Sequence, residues 1–229
     1  MTRLLALIEL GSNATRLLLA EVTMGAGYRV LQQKRVQTRL ASGPERELPR
    51  RAVRDTLAAV RGFVRSFPNG NGVSTIAGAT AAVRDAENRA TLLNPLIHKY
   101  GLNVVVLSPH DEACLGTLAV LHHLPMRDGL VADLGGGSLQ LTSVRAGRVE
   151  DTASLPIGAV RMTERFLRGD PPAAAEVKAL RSEVRERLHR AMPFLKRSGH
   201  LVGIGGTVRA LASLPLAARS YCMKTRFQI

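Results

Sequence analysis

GLVADLGGGSLQLTSV, residues 129–144, is the stretch on which the reading of this chain turns. A short apolar run ends in a lone carboxylate, Asp133. Three glycines and a serine follow, and then an alternating apolar pattern from Ser138 onward. The first run reads as a buried strand and the alternation as a second strand. Glycines between them permit positive φ and leave no Cβ, so a ligand can approach bare backbone N–H groups. Such a loop cradles phosphate oxygens, and a carboxylate beside it holds a metal ion or steers a water. A tight hairpin without any ligand fits this stretch equally well.

The 229 residues suffice for one large domain or two small ones with real cores. The hydrophobic share, 45%, fits a globular chain rather than a disordered one. Aromatic residues make up 3% and Trp is absent, which argues against a single-stranded nucleic-acid partner that needs stacking platforms. A formal net charge of +14 suits a polyanion such as polyphosphate or a highly phosphorylated nucleotide. An Arg-rich composition with a solvated basic surface accounts for the same number. Two cysteines, Cys114 and Cys222, exclude a disulfide framework and point to a reducing cytoplasm. TRLLALIEL at the N-terminus is too short and too interrupted by Glu9 for a signal peptide or membrane span.

The opening pattern occurs twice. LALIELGSNATRLLLAEV near the N-terminus also runs strand, acid, leucine, glycine, two small residues, strand. Glu9 aligns with Asp133 and Gly11 with Gly135, a shift of 124 residues in both cases. Two similar domains, each opening on an acid-tipped hairpin, are the expectation. After the first hairpin, strand patterns at YRVLQQKRVQTRL, GVSTIAGATAAV and NVVVLS alternate with helical ones. The helical patterns are PRRAVRDTLAAVRGFVRSF, with Val53, Leu57, Val60 and Val64 on one face, AENRATLLNPLIHKYG, interrupted at Pro95, and DEACLGTLAVLHHL. This alternation predicts an α/β fold. Pro125 and Gly129 flank a break, so the boundary is drawn between residues 1–126 and 127–229. In the second half, PPAAAEVKALRSEVRERLHRAMPFLKR predicts a helix burying Val177, Leu180, Val184, Leu188 and Ala191.

Three glycine turns follow strands: Gly11-Ser12-Asn13, Gly135 to Ser138, and Gly203 to Thr207. The third is not a dinucleotide fingerprint, because Val208 stands where that motif needs glycine. No Walker-type phosphate loop is present either. Adjacent His122 and His123 point about 100° apart on a helix and do not chelate one metal.

Six stretches in order, LGSNATRLLL, ATAAVRDAENRATLL, LSPHDEACLG, VADLGGGSLQL, SLPIGAVRMTERF and VGIGGTVRALA, resemble the exopolyphosphatase/guanosine-pentaphosphate phosphohydrolase (Ppx/GppA) family. The resemblance covers nearly the whole chain. It implies two ribonuclease-H-like domains of the actin/sugar-kinase/Hsp70 superfamily, with the active site between them and the second domain C-terminally incomplete beside the family. It also implies Mg²⁺-dependent hydrolysis of a terminal phosphate from polyphosphate or guanosine pentaphosphate. By motif position, Glu112 takes the place of the water-activating glutamate, and a carboxylate there can orient water for in-line attack. Arg84 and Asn88 match polar residues facing the phosphates, where Arg84 can fork onto phosphate oxygens. Asp133 matches a metal-associated aspartate, with Glu9 its counterpart in the first hairpin. Gly11, Ser12 and Asn13, then Gly135, Gly136, Gly137 and Ser138, and last Gly205, Gly206 and Thr207 match phosphate loops.

Two departures oppose catalysis. The family motif carries Asp where this chain has Glu9, one methylene longer, which displaces a metal or water by roughly an ångström. It also carries Glu where this chain has Gln140, the second candidate catalytic position. An amide keeps shape and hydrogen bonding but loses basicity and affinity for Mg²⁺. The sequence therefore supports a cytoplasmic phosphoanhydride hydrolase, or alternatively an impaired relative that binds polyphosphate or a phosphorylated nucleotide without cleaving it. A homodimer stays open on sequence grounds.

Overall fold

The computed structural model describes residues 2–44, 46–67, 72–191 and 199–214. Cys222 and the end of the helix pattern predicted through Arg197 lie outside these residues. Contacts divide the chain into two compact units, Met1–Ser108 and Pro109–Ile229.

The first unit opens on strands β1 (Thr2–Leu10), β2 (Thr15–Thr23) and β3 (Gly27–Val36). Helix α1 (Arg50–Val64), strand β4 (Val73–Ala79), helices α2 (Ala81–Asp85) and α3 (Ala90–Tyr100), and strand β5 (Val104–Val106) complete it. The sheet order is β3-β2-β1-β4-β5. The β1–β2 and β2–β3 pairs are antiparallel, whereas β4 joins β1 in parallel, as a crossover through α1 requires. Alternate residues Ala6, Ile8 and Leu10 of β1 face the core with Val60, Phe63, Leu92 and Leu96. The other set looks outward, and Leu7, Ile76 and Val105 are exposed.

Two local expectations differ in this unit. The strand read through Val83 ends at Ala79, and the Ala-rich run after Thr80 coils into α2. Alanine favours helix and lacks the branched side chains that hold a strand. Pro95 does not interrupt its helix either, since α3 runs through it to Tyr100 and closes on Gly101 in the left-handed conformation.

The second unit begins with α4 (Pro109–His123), followed by β6 (Gly129–Leu134), β7 (Leu139–Arg145), β8 (Arg148–Leu155), α5 (Ala159–Phe166), α6 (Ala174–Ala191), β9 (Leu201–Ile204) and α7 (Gly206–Ala212). Its sheet order, β8-β7-β6-β9, repeats the β3-β2-β1-β4 arrangement, with β9 joining β6 in parallel as β4 joins β1. The contact division falls at Ser108, not at the sequence break near residue 126, because α4 packs on β6, β7 and β8.

The repeat extends to single hydrogen bonds. Gly11 N donates to Ala14 O at 3.1 Å, and 124 residues later Gly135 N donates to Ser138 O at 3.0 Å. Glu9 pairs across the hairpin with Arg16, and Asp133 pairs with Gln140 at the same shift. Each hairpin is thus closed by one geometry, with an acid at the same place.

Candidate active site

In the second unit the sheet face under α4 is apolar at one end and polar at the other. Val131 and Val144 pack with Val120 of α4. Two residues further along β6, Asp133 points to the same side, beside Gln140 of β7. Helix α4 runs along this face so that Val120 lies over Val131, while Gly116 lies against Asp133. A Cβ on Gly116 would sit 3.5 Å from Oδ2 of Asp133. Glu112, half-buried, is one further turn along the same helix face, about 6 Å beyond Gly116. That step brings it to the level of the glycine loop after β6. The first turn of α4 is anchored where His110 Nδ1 meets Thr152 Oγ1 of β8 at 3.1 Å, and its acids Asp111 and Glu112 complement the helix dipole.

Asp133 is cradled by glycine on a second side. A Cβ on Gly205 would lie 2.9 Å from its Oδ1 and 2.5 Å from Leu134 O, and Gly205 has φ +99°. Both constraints favour glycine there. Gly206 and Thr207 open α7, with Gly206 facing open space. The third glycine turn therefore seats the Asp133 carboxylate.

The loop Gly135–Ser138 is locked by the start of α5. Ala159 N donates to Gly135 O at 2.9 Å, while Val160 N and Arg161 N donate to Gly136 O at 2.9 and 3.1 Å. The Nε of Arg161 donates to Gly137 O at 3.0 Å. All three glycine carbonyls are thus engaged from one side, and the N–H groups of Gly136, Gly137 and Ser138 take no part in these bonds. Gly158 makes this approach possible. A Cβ there would lie 2.3 to 2.4 Å from the backbone of Gly136, Gly137 and Ser138. Gln140 is buried, and its Nε2 donates to Ser138 Oγ at 2.8 Å, fixing the serine at the end of the loop.

The equivalent hairpin of the first unit is self-neutralised. Nη1 of Arg16 donates to both carboxylate oxygens of Glu9, at 2.9 and 2.7 Å. Arg16 occupies the place of Gln140, so any cation at Glu9 must displace a guanidinium. The Gly11–Asn13 turn is tied by its carbonyls, as in the second unit. Thr38 N and Arg39 N donate to Asn13 O, and Ala41 N to Ser12 O. Arg84 is largely buried, with Nη1 donating to Leu107 O at 3.0 Å and Nε 3.7 Å from Asp85. The amide of Asn88 brackets one residue, accepting from Leu48 N at 2.8 Å and donating to Leu48 O at 3.0 Å. Asn88 thus clasps two distant segments of the first unit. Asn88→Ala is expected to destabilise the first unit by about 1–3 kcal/mol, since it orphans part-buried backbone groups. Chemical denaturation measures this.

Among the predicted positions, Glu112, Asp133, Gly135 to Ser138, Gln140 and Gly205 to Thr207 all belong to the second unit. Glu9, Gly11, Ser12, Asn13, Arg84 and Asn88 belong to the first. Three positions that shape the site were missed in sequence: Gly116, Gly158 and Arg161. A glycine inside the apolar helix pattern DEACLGTLAV is itself a signal, because it costs about 1 kcal/mol against alanine unless a close neighbour needs the space.

Oxygen donors suit Mg²⁺, which needs only one or two protein carboxylates when phosphates and water complete its shell. Asp133, with Gly116 in contact range of one oxygen and Gly205 leaving no room for a Cβ at the other, fits that demand, and Glu112 lies one helical turn past Gly116. Among the described residues no three His, Cys, Asp or Glu side chains gather into an all-protein metal cage. Nor is any described helix long and apolar enough to cross a membrane.

Two similar α/β units, each opening on an acid-tipped hairpin with a glycine turn, define the ribonuclease-H-like class of the actin/sugar-kinase/Hsp70 superfamily. Within that class the profile of the Ppx/GppA phosphatase family matches residues 18–227, and the chain belongs to this family. It is 33% identical to Exopolyphosphatase 2 of Mycobacterium tuberculosis, over 94% of this chain and 72% of that one. Exopolyphosphatase 1 of the same organism is 29% identical, over 94% and 65% respectively. An uncharacterised Streptomyces coelicolor protein is 34% identical over 85% of this chain and 59% of its own length. The chain thus spans between three-fifths and three-quarters of the length of these relatives. Among solved structures, a Ppx-GppA enzyme of Aquifex aeolicus superposes with a TM-score of 0.71 at 29% identity, over 93% of this chain and 71% of that one. An exopolyphosphatase of Cytophaga hutchinsonii shares the fold, with a TM-score of 0.84 at 23% identity, over 98% and 73%.

Proposed function

We propose that this chain hydrolyses the terminal phosphoanhydride bond of inorganic polyphosphate, or of a guanosine pentaphosphate, with Mg²⁺. The observation that carries this reading is the Gly135–Ser138 loop. Its carbonyls are drawn into α5, the N–H groups of Gly136, Gly137 and Ser138 take no part in those bonds, and the loop follows directly on Asp133. Backbone N–H groups in such a loop bind phosphate oxygens and stabilise charge on the transferred phosphoryl group. Glu112 holds and deprotonates the attacking water, aligned with the bond to be broken. Asp133 would hold Mg²⁺, which when bound would neutralise charge on the phosphate oxygens. Arg161 keeps the loop in its binding shape through Gly137 O. Family membership supports phosphatase chemistry, and the M. tuberculosis relatives named exopolyphosphatases favour polyphosphate.

A second reading, a protein that binds polyphosphate without cleaving it, is favoured by Gln140. Its buried amide donates to Ser138 where an acid would accept. Release of inorganic phosphate from polyphosphate with Mg²⁺, measured beside binding, separates the two. Gln140→Glu is the informative variant. It sets a second carboxylate directly across the β6–β7 pair from Asp133, so without Mg²⁺ like charges oppose each other and the melting temperature falls. With Mg²⁺ the loss is recovered, and turnover rises by about 10²-fold with little change in affinity. Binding without release, unchanged by Gln140→Glu, assigns the chain to the second reading.

A further inference from the structure

One apolar surface lies outside the candidate site. In the first unit, helices α1, α2 and α3 all pack on one face of the sheet, where Ala6, Ile8 and Leu10 meet Val60, Val83 and Leu92. The opposite face is bare. Leu18, Leu7 and Ile76 form one row across β2, β1 and β4, since residues paired across strands share a face. Leu7, Ile76 and Val105 are 42%, 52% and 56% exposed, and Leu5 and Val22 extend the patch into a shallow hollow. A contiguous apolar patch, unlike scattered exposed leucines, marks an interaction site.

The second unit shows what such a face takes. The shift of 124 residues that sets Glu9 on Asp133 also sets Leu7 on Val131 and Ala20 on Val144. There the equivalent face is covered by α4, with Val120 packed on Val131 and Val144. A helix lying along the strands is therefore the covering element that this sheet geometry accommodates. Helix α4 also carries a second apolar side. Ala113, Thr117 and Val120 are buried, whereas Leu115 and Leu118, on the far side of the helix, are more than half exposed. The chain thus holds an uncovered sheet face and an unused apolar helix side of the kind that covers its counterpart. From this match we infer that two copies of the chain associate. Leu115 and Leu118 of α4 in each copy seat on the row of Leu18, Leu7 and Ile76 in the other, so the contact is made twice by symmetry. A helix of 15 residues is about 22 Å long and about 10 Å wide, so the two contacts hide about 900 Å² of footprint over both partners. That lies just below the range of specific interfaces, which begins near about 1,200 Å², and it makes the dimer a reversible one.

The test is sedimentation of the intact chain between about 1 and 100 µM, beside Leu7→Arg, Leu118→Arg and Ile97→Arg. A monomer–dimer equilibrium is expected, with a melting temperature that rises with protein concentration. Leu7→Arg and Leu118→Arg each weaken it at least about tenfold, because each sets an unpaired guanidinium in both contacts. Ile97→Arg, at an exposed apolar position on α3 behind the sheet, leaves it unchanged. Should Leu7→Arg fail to fold, Ile76→Thr on the same row gives the same readout with a smaller loss. A loss confined to Leu7→Arg means sheet against sheet, and one confined to Leu118→Arg means helix against helix; either overturns the proposal. An equal loss with Ile97→Arg overturns it as well, in favour of general stickiness. An intact chain that stays monomeric over the whole range also overturns it and leaves the bare face to a helix of another protein. None of these outcomes reads phosphate release, so the hydrolase reading stands or falls separately.

Discussion

Glu112→Gln is expected to lower phosphate release from polyphosphate by about 10²- to 10⁴-fold while leaving polyphosphate affinity within about twofold. The split follows from position. Glu112 stands on α4 one turn past Gly116, which lies against Asp133, and in the proposed reading it orients water while the glycine loop grips phosphate. The substitution keeps size and hydrogen bonding and removes only basicity and charge. A group that acts in the transition state costs turnover when removed, whereas a group that binds the ground state costs affinity. Steady-state release and equilibrium binding on the same preparation check this. A loss confined to affinity would place Glu112 in binding instead.

The second large effect is steric. Gly158→Ala places a methyl group 2.3 Å from Gly137 C and Ser138 N, backbone atoms that cannot rotate aside. Either α5 withdraws and releases the carbonyls of Gly135, Gly136 and Gly137, or the loop shifts and its N–H groups lose their aim. Displacement of about 1 Å in an aligned site costs on the order of 10²-fold in rate. Polyphosphate affinity falls too, unlike the outcome for Glu112→Gln, because the loop itself binds. Stability is expected to drop by about 1–3 kcal/mol as in other overpacked positions. Kinetics with thermal denaturation read both, and an unaffected variant would mean that α5 does not hold the loop.

The sequence carried the architecture and most of the site for a local reason. A strand, an acid, glycines and a second strand are contiguous, so Glu9 to Asn13 and Asp133 to Gln140 were legible as hairpins. The shift of 124 residues between them needed no three-dimensional information. The neutralisation of Glu9 was also within reach, since a Gly11–Ala14 turn fixes the register that pairs Glu9 with Arg16. What sequence could not show were contacts between distant segments. Gly158 is separated from Gly137 by two whole strands, and Asn88 meets Leu48 across 40 residues. Periodicity records which face is apolar, not which neighbour comes close. The assignment of α4 failed similarly. Its residues follow the first unit without a break, yet they pack on the sheet that comes after them.

With the carbonyls of Gly135, Gly136 and Gly137 engaged by α5, the N–H groups that follow them are expected to receive phosphate. Backbone amide NMR shifts during titration with tripolyphosphate in Mg²⁺ test this most directly. The amides of Gly136, Gly137 and Ser138 are predicted to move together and saturate, while those of Gly25 and Gly147, in the other hairpin turns of the two units, stay fixed. Saturable binding that leaves those three loop amides unmoved would contradict the account.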